Sequence, residues 1–246
     1  MPLGPRGTAL VTGGARRIGR ALVRTCAQAG YDVAIHCRAV DDEAQAAAAE
    51  VRSLGRKASL HTCDLRREAE TAPLIGNVEA ELGPVTLLIN SASVFEDDSF
   101  AQMNRASWDT HFETNLRAPL VLAQAFAARL PADRLGLIVN ILDQRVLSPS
   151  PEFFSYALSK SALWDATRML ALALAPHIRV NGIGPGPVLK SIHQTDAEFA
   201  KEAAATPLAR AVNISEIGQA LAYLIDAVSV TGQMITVDAG QHLGPQ

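Results

Sequence analysis

Thr8-Ala-Leu-Val-Thr-Gly-Gly-Ala-Arg-Arg-Ile-Gly19 is the stretch of sequence that decides the fold. Its apolar first half predicts a strand over Thr8–Thr12, and a helical pattern starts at Ile18. A glycine-rich turn between a strand and a helix presents backbone N–H groups and a helix N-terminus to a diphosphate. Gly13 permits the tight turn, and Gly19 lets the helix pack closely on the strand. The stretch therefore predicts a dinucleotide-binding unit.

The rest of the chain repeats this alternation of short apolar runs with longer helical patterns. Near-continuous apolar strands separated by helices indicate a parallel sheet covered on both faces. With right-handed crossovers, we expect an α/β fold: a single-domain, doubly wound, Rossmann-like sheet of about seven strands with helices on both faces. The predicted strands are Thr8–Thr12, Asp32–Cys37, Ala58–Cys63, Val85–Asn90, Leu135–Ile141, Arg179–Ile183 and Gln233–Val237. The predicted helices lie near Ile18–Ala29, Glu43–Leu54, Glu68–Leu82, Ser107–Arg129, Phe154–Leu174 and Glu216–Ala227.

The sequence shows no linker or repeat that would divide it. We therefore expect one domain over residues 1–246. A less regular segment near residues 187–207 is predicted to be a substrate lid, because long irregular insertions in compact domains often move.

Composition and charge exclude several classes of protein. The chain has 246 residues and a formal net charge of −3, so it has no general attraction for nucleic acid or an anionic membrane. Residues 1–7 contain no apolar core of a secretory signal, and no apolar run is long enough to span a bilayer. The three scattered cysteines suit a reducing cytoplasm, and no Cys or His pair has metal-ligand spacing. We expect a cytoplasmic, metal-free protein.

Arg16 and Arg17 place two positive charges where phosphates would lie. Cations are disfavoured at a helix N-terminus unless an anion is bound there. The alternative is that both are solvated residues at the start of a helix.

The end of the second strand predicts the kind of dinucleotide. NAD sites commonly place an acidic residue there, whereas this chain has His36-Cys-Arg38 and no carboxylate before Asp41. Arginine can hold a 2′-phosphate, so we expect NADPH. Asp64 follows the third strand and is expected to meet the adenine edge. Asn90-Ser-Ala-Ser93 follows the fourth strand and is expected to line a cofactor ribose.

A third pattern, Tyr156-Ala-Leu-Ser-Lys160, carries proton chemistry. The i,i+4 spacing puts a phenol and an ammonium on one helical face, and a neighbouring cation lowers the pKa of a tyrosine. Asp143 stands at the end of the strand Leu135–Ile141, thirteen positions before the tyrosine. The alternative for the Tyr/Lys pattern alone is an ordinary surface pair.

Taken together, these motifs resemble the short-chain dehydrogenase/reductase family over essentially the whole chain. The matching parts are Thr12-Gly…Ile-Gly19, Asp64, Asn90-Ser-Ala-Ser, Asn115, Tyr156-Ala-Leu-Ser-Lys160 and Arg179-Val-Asn-Gly-Ile-Gly-Pro-Gly186. The resemblance implies that Tyr156 is the general acid, that Lys160 lowers its pKa and holds the nicotinamide ribose, and that Asn115 anchors a water in a proton relay. The residues expected to contact NADPH are Gly13, Arg16, Arg17, Ile18, His36, Arg38, Asp64, Leu65, Asn90, Ala92, Ser93, Tyr156, Lys160, Pro185, Gly186 and Val188.

Three departures from the family pattern narrow the resemblance. The family usually has Gly where Arg17 and Ser93 stand, and Ser where Asp143 stands. All three look like the pteridine reductase branch, which includes dihydromonapterin reductases. That resemblance implies reduction of a dihydropterin, with dihydrofolate as a further candidate. It also implies that Tyr156 and Asp143 protonate the substrate, and that the pterin is held by Arg17, Ser93, Phe95, Asp143 and Tyr156.

Several alternatives remain at this stage. Phe95 could be a loop anchor packed on the lid, and Asp143 a helix N-cap or a salt-bridge partner of Arg17 or Arg145. The usual threonine after the Pro-Gly loop is replaced by Pro187-Val-Leu-Lys-Ser191. A ketone or 3-oxoacyl thioester reductase is the second enzymatic hypothesis, although a carboxylate at position 143 would hinder carbonyl reduction. A non-catalytic NADPH-binding sensor is the third.

Family members commonly form tetramers through two long helices, which correspond to Ser107–Arg129 and Phe154–Leu174 in this chain. The resemblance therefore implies a homotetramer.

Overall fold

We analysed a computed structural model of the chain, which describes residues 6–244. Seven parallel strands form one sheet in the order β3-β2-β1-β4-β5-β6-β7. This order reverses direction at β1, which is the doubly wound arrangement predicted from the sequence. Residues 1–5, which belong to the segment in which we expect no secretory signal, lie outside the described residues.

The strands agree with the predicted ones to within two residues at each end. They are β1 Thr8–Val11, β2 Asp32–Cys37, β3 Ala58–Thr62, β4 Val85–Asn90, β5 Gly136–Ile141, β6 Ile178–Pro185 and β7 Met234–Val237. The α-helices are α1 Arg17–Gln28, α2 Asp42–Ser53, α3 Glu68–Thr71, α4 Leu74–Leu82, α5 Arg105–Phe112, α6 Ala118–Arg129, α7 Phe154–Ala173, α8 Asp196–Ala205 and α9 Ile214–Asp226.

Two apolar clusters cover the two faces of the sheet. One packs α1, α2 and α9 against one face, and includes Leu22, Ile35 and Leu221. The other packs α4 and α6 against the opposite face, and includes Leu88 and Phe126. Every residue of β1, β4 and β5 is buried. The near-continuous apolar character of these strands thus has its cause in burial on both faces.

Two predicted helices are broken in the structure, and prolines explain both breaks. The predicted helix Glu68–Leu82 divides into α3 and α4, with Pro73 between them. The predicted helix Ser107–Arg129 divides into α5 and α6, joined by a π-helical turn over Glu113–Arg117. Pro119 stands in the first turn of α6 and has no N–H to give to the carbonyl of Asn115 four residues earlier. The helix is wider at this turn, because Ala118 donates its N–H to the carbonyl of Glu113, five residues earlier.

The predicted lid, residues 187–207, contains α8. This helix starts with a capping box, in which Thr195 and Glu198 satisfy each other's backbone N–H groups. Movement of the segment stays a prediction. In the described part of the chain, 6–244, no helix combines the length and the apolar character that a membrane crossing needs.

Candidate active site

A cleft of about 1060 Å³ runs over the carboxyl ends of the central strands. Loops that follow β1, β2, β4, β5 and β6 line it, together with the lid and the start of α1. Open α/β sheets bind their ligands at this edge, where the strand order reverses. Most residues selected from the sequence line the cleft: Gly13, Arg16, Arg17, Ile18, His36, Arg38, Asp64, Leu65, Ala92, Ser93, Phe95, Asp143, Tyr156, Lys160, Pro185 and Gly186.

Tyr156 and Asp143 are hydrogen-bonded to each other at the floor of this cleft. The Tyr156 hydroxyl donates to Asp143 Oδ2 over 2.7 Å. Asp143 Oδ1 accepts the Arg145 N–H at 2.9 Å, and Arg145 Nη1 lies 3.4 Å from Oδ2. Asp143 is therefore both the N-cap of a 3-10 turn and an ion-pair partner of Arg145, which were two of its alternatives, and it also contacts the phenol.

This arrangement corrects the predicted effect of Lys160 on the phenol. Burial raises the pKa of Tyr156 well above its ordinary value, and the Asp143 charge and hydrogen bond raise it further. The Lys160 ammonium lies 5.8 Å from the centroid of the tyrosine ring and donates instead to the Ile141 carbonyl at 2.8 Å. The prediction that Lys160 lowers the pKa of Tyr156 is wrong for this structure, because burial and the neighbouring Asp143 anion both favour the protonated phenol.

Lys160 is itself perturbed by its surroundings. Burial lowers the pKa of its ammonium to about 8, although the charge of Asp143 acts in the opposite direction. The side chain is 2% exposed, so a buried cation lies beside a carboxylate and a phenol. A buried tyrosine and a buried lysine with perturbed pKa values, beside a carboxylate in a cleft, are typical of a catalytic site.

Asn115 lies in the π-helical turn, just outside the cleft. Its Oδ1 accepts from the Val94 N–H at 2.9 Å, and its Nδ2 donates to the Val94 carbonyl at 3.0 Å and to Ser159 Oγ at 3.1 Å. The side chain thus fastens the loop after β4 to α7. A proton relay through Asn115 stays a prediction. Because the side chain is already hydrogen-bonded, the relay would have to use the backbone carbonyl of Asn115, to which Pro119 cannot donate.

An aromatic wall stands above Tyr156. The Phe95 ring stacks on Phe153 with centroids 4.2 Å apart, and meets the edge of Tyr156 at 4.7 Å. The Arg145 guanidinium lies 5.8 Å from the Phe95 centroid and 5.6 Å from that of Phe153. Sequence analysis missed Phe153 and a site role for Arg145. The signal for Phe153 was the pair of phenylalanines that precedes the Tyr-x-x-x-Lys pattern, with one serine between the pair and Tyr156.

Arg17 joins the start of α1 to the lid. Its Nη2 donates to the Leu189 carbonyl at 3.1 Å and to the Lys190 carbonyl at 2.9 Å. Its φ is +49°, a left-handed conformation that costs a non-glycine residue about 1 kcal/mol or more. This conformation explains why glycine usually stands at this position in the family that the sequence resembles. Arg16 forms ion pairs with Asp41 and Glu43.

His36 fixes the glycine-rich turn from below. Its Nδ1 accepts the Gly13 N–H at 3.3 Å, and its Nε2 lies 3.2 Å from the Cys63 carbonyl. Burial lowers the pKa of this imidazole, so the neutral form with a proton on Nε2 suits both contacts. A Cβ at Gly13 would lie 2.9 Å from the Ala92 Cα, and only glycine allows the turns after β1 and β4 to meet.

Arg38 and Asp64 differ in how freely they could meet a ligand. Arg38 is exposed in the cleft and makes no hydrogen bond or ion pair with residues 6–244. Asp64 is held by Arg66, whose Nη2 donates to Oδ2 at 2.6 Å and whose hydrogen bonds lower the carboxyl pKa to about 2. The predicted contact of Asp64 with an adenine would have to compete with this pair.

Two further residues selected from the sequence lie away from the cleft lining. Asn90 is buried and donates to Asn140 Oδ1 at 2.8 Å, which places its side chain between β4 and β5. Val188 is buried at the start of the lid. Asn90 and Val188 could therefore contact a cofactor only through backbone atoms. Within residues 6–244, no group of three or more His, Cys, Asp or Glu side chains could hold a metal ion.

The donor groups of the cleft fit a phosphorylated dinucleotide. The first turn of α1 contains no acidic residue and no side-chain cap, so its backbone N–H groups are available to an anion. The exposed guanidinium of Arg38 follows β2, where a second phosphate would meet it.

A family model described as short chain dehydrogenase matches residues 7–201. The chain belongs to the short-chain dehydrogenase family. This membership confirms the resemblance inferred from the motifs. Members of the family are oxidoreductases.

Two solved structures of this family are particularly similar. FolM alternative dihydrofolate reductase 1 from Brucella suis, in complex with NADP, is 45% identical, with a TM-score of 0.95 and coverage of 99% of this chain and 98% of that chain. Its counterpart from Brucella canis, complexed with NADP, is 44% identical, with a TM-score of 0.92 and coverage of 98% and 96%. Among curated relatives, the 3-oxoacyl-[acyl-carrier-protein] reductase FabG of Staphylococcus epidermidis is 27% identical over 241 residues, covering 96% of this chain and 99% of its own length.

Proposed function

We propose that this short-chain dehydrogenase is an NADPH-dependent reductase of a pterin. The substrate would be a dihydropterin such as dihydrobiopterin or dihydromonapterin, with dihydrofolate as a further candidate. The observation that carries the proposal is the hydrogen bond from Tyr156 to Asp143, beside the ring of Phe95. The likeness to two structures named as alternative dihydrofolate reductases supports it.

The assignment of NADPH rests on charge. Arg38 is exposed and free of ion pairs with the described residues, so it can bind a 2′-phosphate. The uncapped first turn of α1 can take the diphosphate. The crystallised relatives contain NADP, in keeping with this choice.

A bound NADPH supplies a hydride, and reduction of a C=N bond then needs a proton on nitrogen. Tyr156 and Asp143 hold that proton between them over 2.7 Å. In this proposal either oxygen can deliver the proton, because the two groups share one hydrogen bond. Lys160 keeps a positive charge below its pKa of about 8, which limits the negative charge on the pair near neutrality.

The substrate would lie between the aromatic wall and the residues at the cleft mouth. Phe95 and Tyr156 offer ring surfaces for a flat heterocycle, and Ser93 and Arg17 offer polar contacts at its rim. Phe95 already has Phe153 on one face, so a pterin would meet its edge or its other face.

Reduction of a 3-oxoacyl thioester is the second candidate, and the similarity to FabG supports it. The surroundings of Tyr156 count against it. A carbonyl oxygen that becomes an oxyanion is stabilised by a readily donated proton and destabilised by a neighbouring carboxylate. Asp143 stands where that negative charge would develop, and it raises the pKa of the phenol.

NADPH oxidation with a panel of substrates separates the two candidates. The panel contains dihydrobiopterin, dihydromonapterin, dihydrofolate and an acetoacetyl thioester. Turnover of the thioester alone would eliminate the pterin proposal. Asp143→Ser should abolish pterin reduction with retained NADPH binding, whereas Asp97→Ser, an exposed carboxylate in the loop after β4, should change neither.

We also propose a homotetramer, in which α7 contributes to an interface between copies of the chain. Met169 and Leu172 near the end of α7 are 69% and 83% exposed, which leaves an apolar surface uncovered in the single chain.

A further inference from the structure

Helix α7, which carries Tyr156 and Lys160, has no N-cap of its own. The residue before it, Phe153, adopts a left-handed conformation with φ of +52° and makes no side-chain cap. The first N–H groups of an α-helix have no partners within the helix, so a buried helix start needs acceptors from elsewhere. This start is buried at Ser155 and Tyr156.

Asp98 supplies both acceptors from a distant part of the chain. Its backbone carbonyl accepts the Phe154 N–H at 3.0 Å, and its Oδ1 accepts the Ser155 N–H at 2.9 Å. The side chain is buried, with the residue 5% exposed. A carboxylate at a helix N-terminus also interacts favourably with the helix dipole. Asp98 thus caps a helix that begins more than fifty residues later in the sequence.

The loop that contains Asp98 also carries Phe95, three positions earlier. His111 of α5 holds the residue between them, because its Nε2 accepts the Glu96 N–H at 3.2 Å. His111 is fully buried, its ring centroid is 6.3 Å from that of Tyr156, and burial lowers its pKa. Residues 95–98 are therefore fixed to α5 at one point and to α7 at two.

We propose that Asp98 is a positioning residue for the reaction, which sets the place of the Phe95 ring relative to the Tyr156 hydroxyl. The loop of residues 95–98 and helix α7 form two walls of the proposed substrate site, one with Phe95 and the other with Tyr156. Asp98 connects these walls through its two hydrogen bonds to the start of α7. Loss of this cap separates the walls while leaving the cofactor side of the cleft, formed by β1, β2 and α1, unchanged. The proposal rests on the proposed pterin reduction for its kinetic readout.

The kinetic test compares Asp98→Ala with Asp98→Asn and with the control Asp97→Ala. The alanine variant should raise the KM for dihydropterin by about tenfold or more and lower kcat, with an unchanged Kd for NADPH. The asparagine variant keeps an oxygen acceptor for the Ser155 N–H and should restore KM to within about threefold of the original value. A variant that unfolds at a lower temperature but keeps KM and kcat would overturn the proposal.

Hydrogen–deuterium exchange tests the coupling without any substrate. In Asp98→Ala, backbone amides of residues 94–98 and of residues 154–157 should both exchange faster, and those of α1 should not. Faster exchange at α7 alone would overturn the proposal, because the loop would then be held without Asp98. If the wild-type protein reduces no pterin, the proposed function fails while this measurement still decides the coupling.

His111→Leu is the second variant, for use if Asp98→Ala does not accumulate as folded protein. It removes the acceptor of the Glu96 N–H and leaves the α7 cap in place. We expect the same rise in the KM for dihydropterin with an unchanged Kd for NADPH. An unchanged KM would contradict the idea that the position of the loop governs the substrate site.

Discussion

Replacing Asp143 by asparagine should lower the pKa of Tyr156. The carboxylate accepts a hydrogen bond from the phenol over 2.7 Å, and its negative charge opposes formation of the phenolate. Asparagine has nearly the same size and keeps an oxygen that can accept the same hydrogen bond. The substitution therefore removes the charge and preserves the geometry.

The size of the effect follows from the kind of hydrogen bond that is changed. A hydrogen bond to a charged group contributes about 1.5–3 kcal/mol, against about 0.5–1.5 kcal/mol for a neutral one. The difference is on the order of 1–2 kcal/mol, and one pKa unit corresponds to about 1.36 kcal/mol. The Tyr156 pKa should fall by about one unit and stay above its ordinary value, because burial is the largest cause of the rise.

Spectrophotometric titration of tyrosinate measures this shift. The chain contains only three tyrosines, so subtracting the titration of a Tyr156→Phe variant isolates the signal of Tyr156. The same subtraction in the Asp143→Asn background gives the shifted value. An unchanged or higher Tyr156 pKa in Asp143→Asn would refute the reasoning, since it would mean that the carboxylate does not stabilise the protonated phenol.

Three further predictions concern the cofactor, pH and assembly. Arg38→Ala should raise the KM for NADPH by about tenfold or more and leave that for NADH unchanged, because only NADPH carries the 2′-phosphate; steady-state kinetics with both cofactors checks this. Burial lowers the pKa of His36 in the folded protein below its ordinary value of 6.5. The contribution of His36 to stability is therefore complete above pH 6.5 and is lost as the pH falls from 6.5 to the folded-state pKa. The thermal unfolding temperature should fall between pH 7 and pH 5, and His36→Asn should flatten this dependence, since an amide oxygen can accept the Gly13 N–H without titrating. Leu172→Glu should reduce the molar mass in light scattering below that of a tetramer, whereas Leu135→Glu, an exposed leucine outside α7, should not.

The fold could be predicted because strands that are buried on both faces are apolar along their whole length. A parallel sheet leaves no polar alternation, and the runs around Leu88 and Ile138 show none. The break between α5 and α6 was missed, since its cause is that Pro119 has no N–H to donate to the carbonyl of Asn115. A helical pattern of apolar residues continues through such a turn and does not reveal it.

The sequence predicted which residues lie in the site better than it predicted what those residues contact. Motif spacing identified Asp143, Tyr156 and Lys160, and the structure brings all three together. Spacing along a helix could not show that the phenol is buried and hydrogen-bonded to the carboxylate in the loop after β5, so the predicted direction of the Tyr156 pKa shift was wrong. Asp98 and His111 were missed for the same reason, because their partners are fixed by the packing of α5 against α7.

The choice between a pterin and a 3-oxoacyl substrate depends on a few side chains, because the fold is shared by both kinds of relative. In our proposal Asp143 is the decisive one, and it does not act alone. A carboxylate held largely away from water is costly without a cation, and Arg145 lies beside Asp143 with its guanidinium also over the Phe95 ring. The same arginine therefore stabilises the acid and holds the aromatic wall against it. A carbonyl reductase would need neither contact, whereas the substrate that we propose, a flat heterocycle that takes up a proton on nitrogen, would use both.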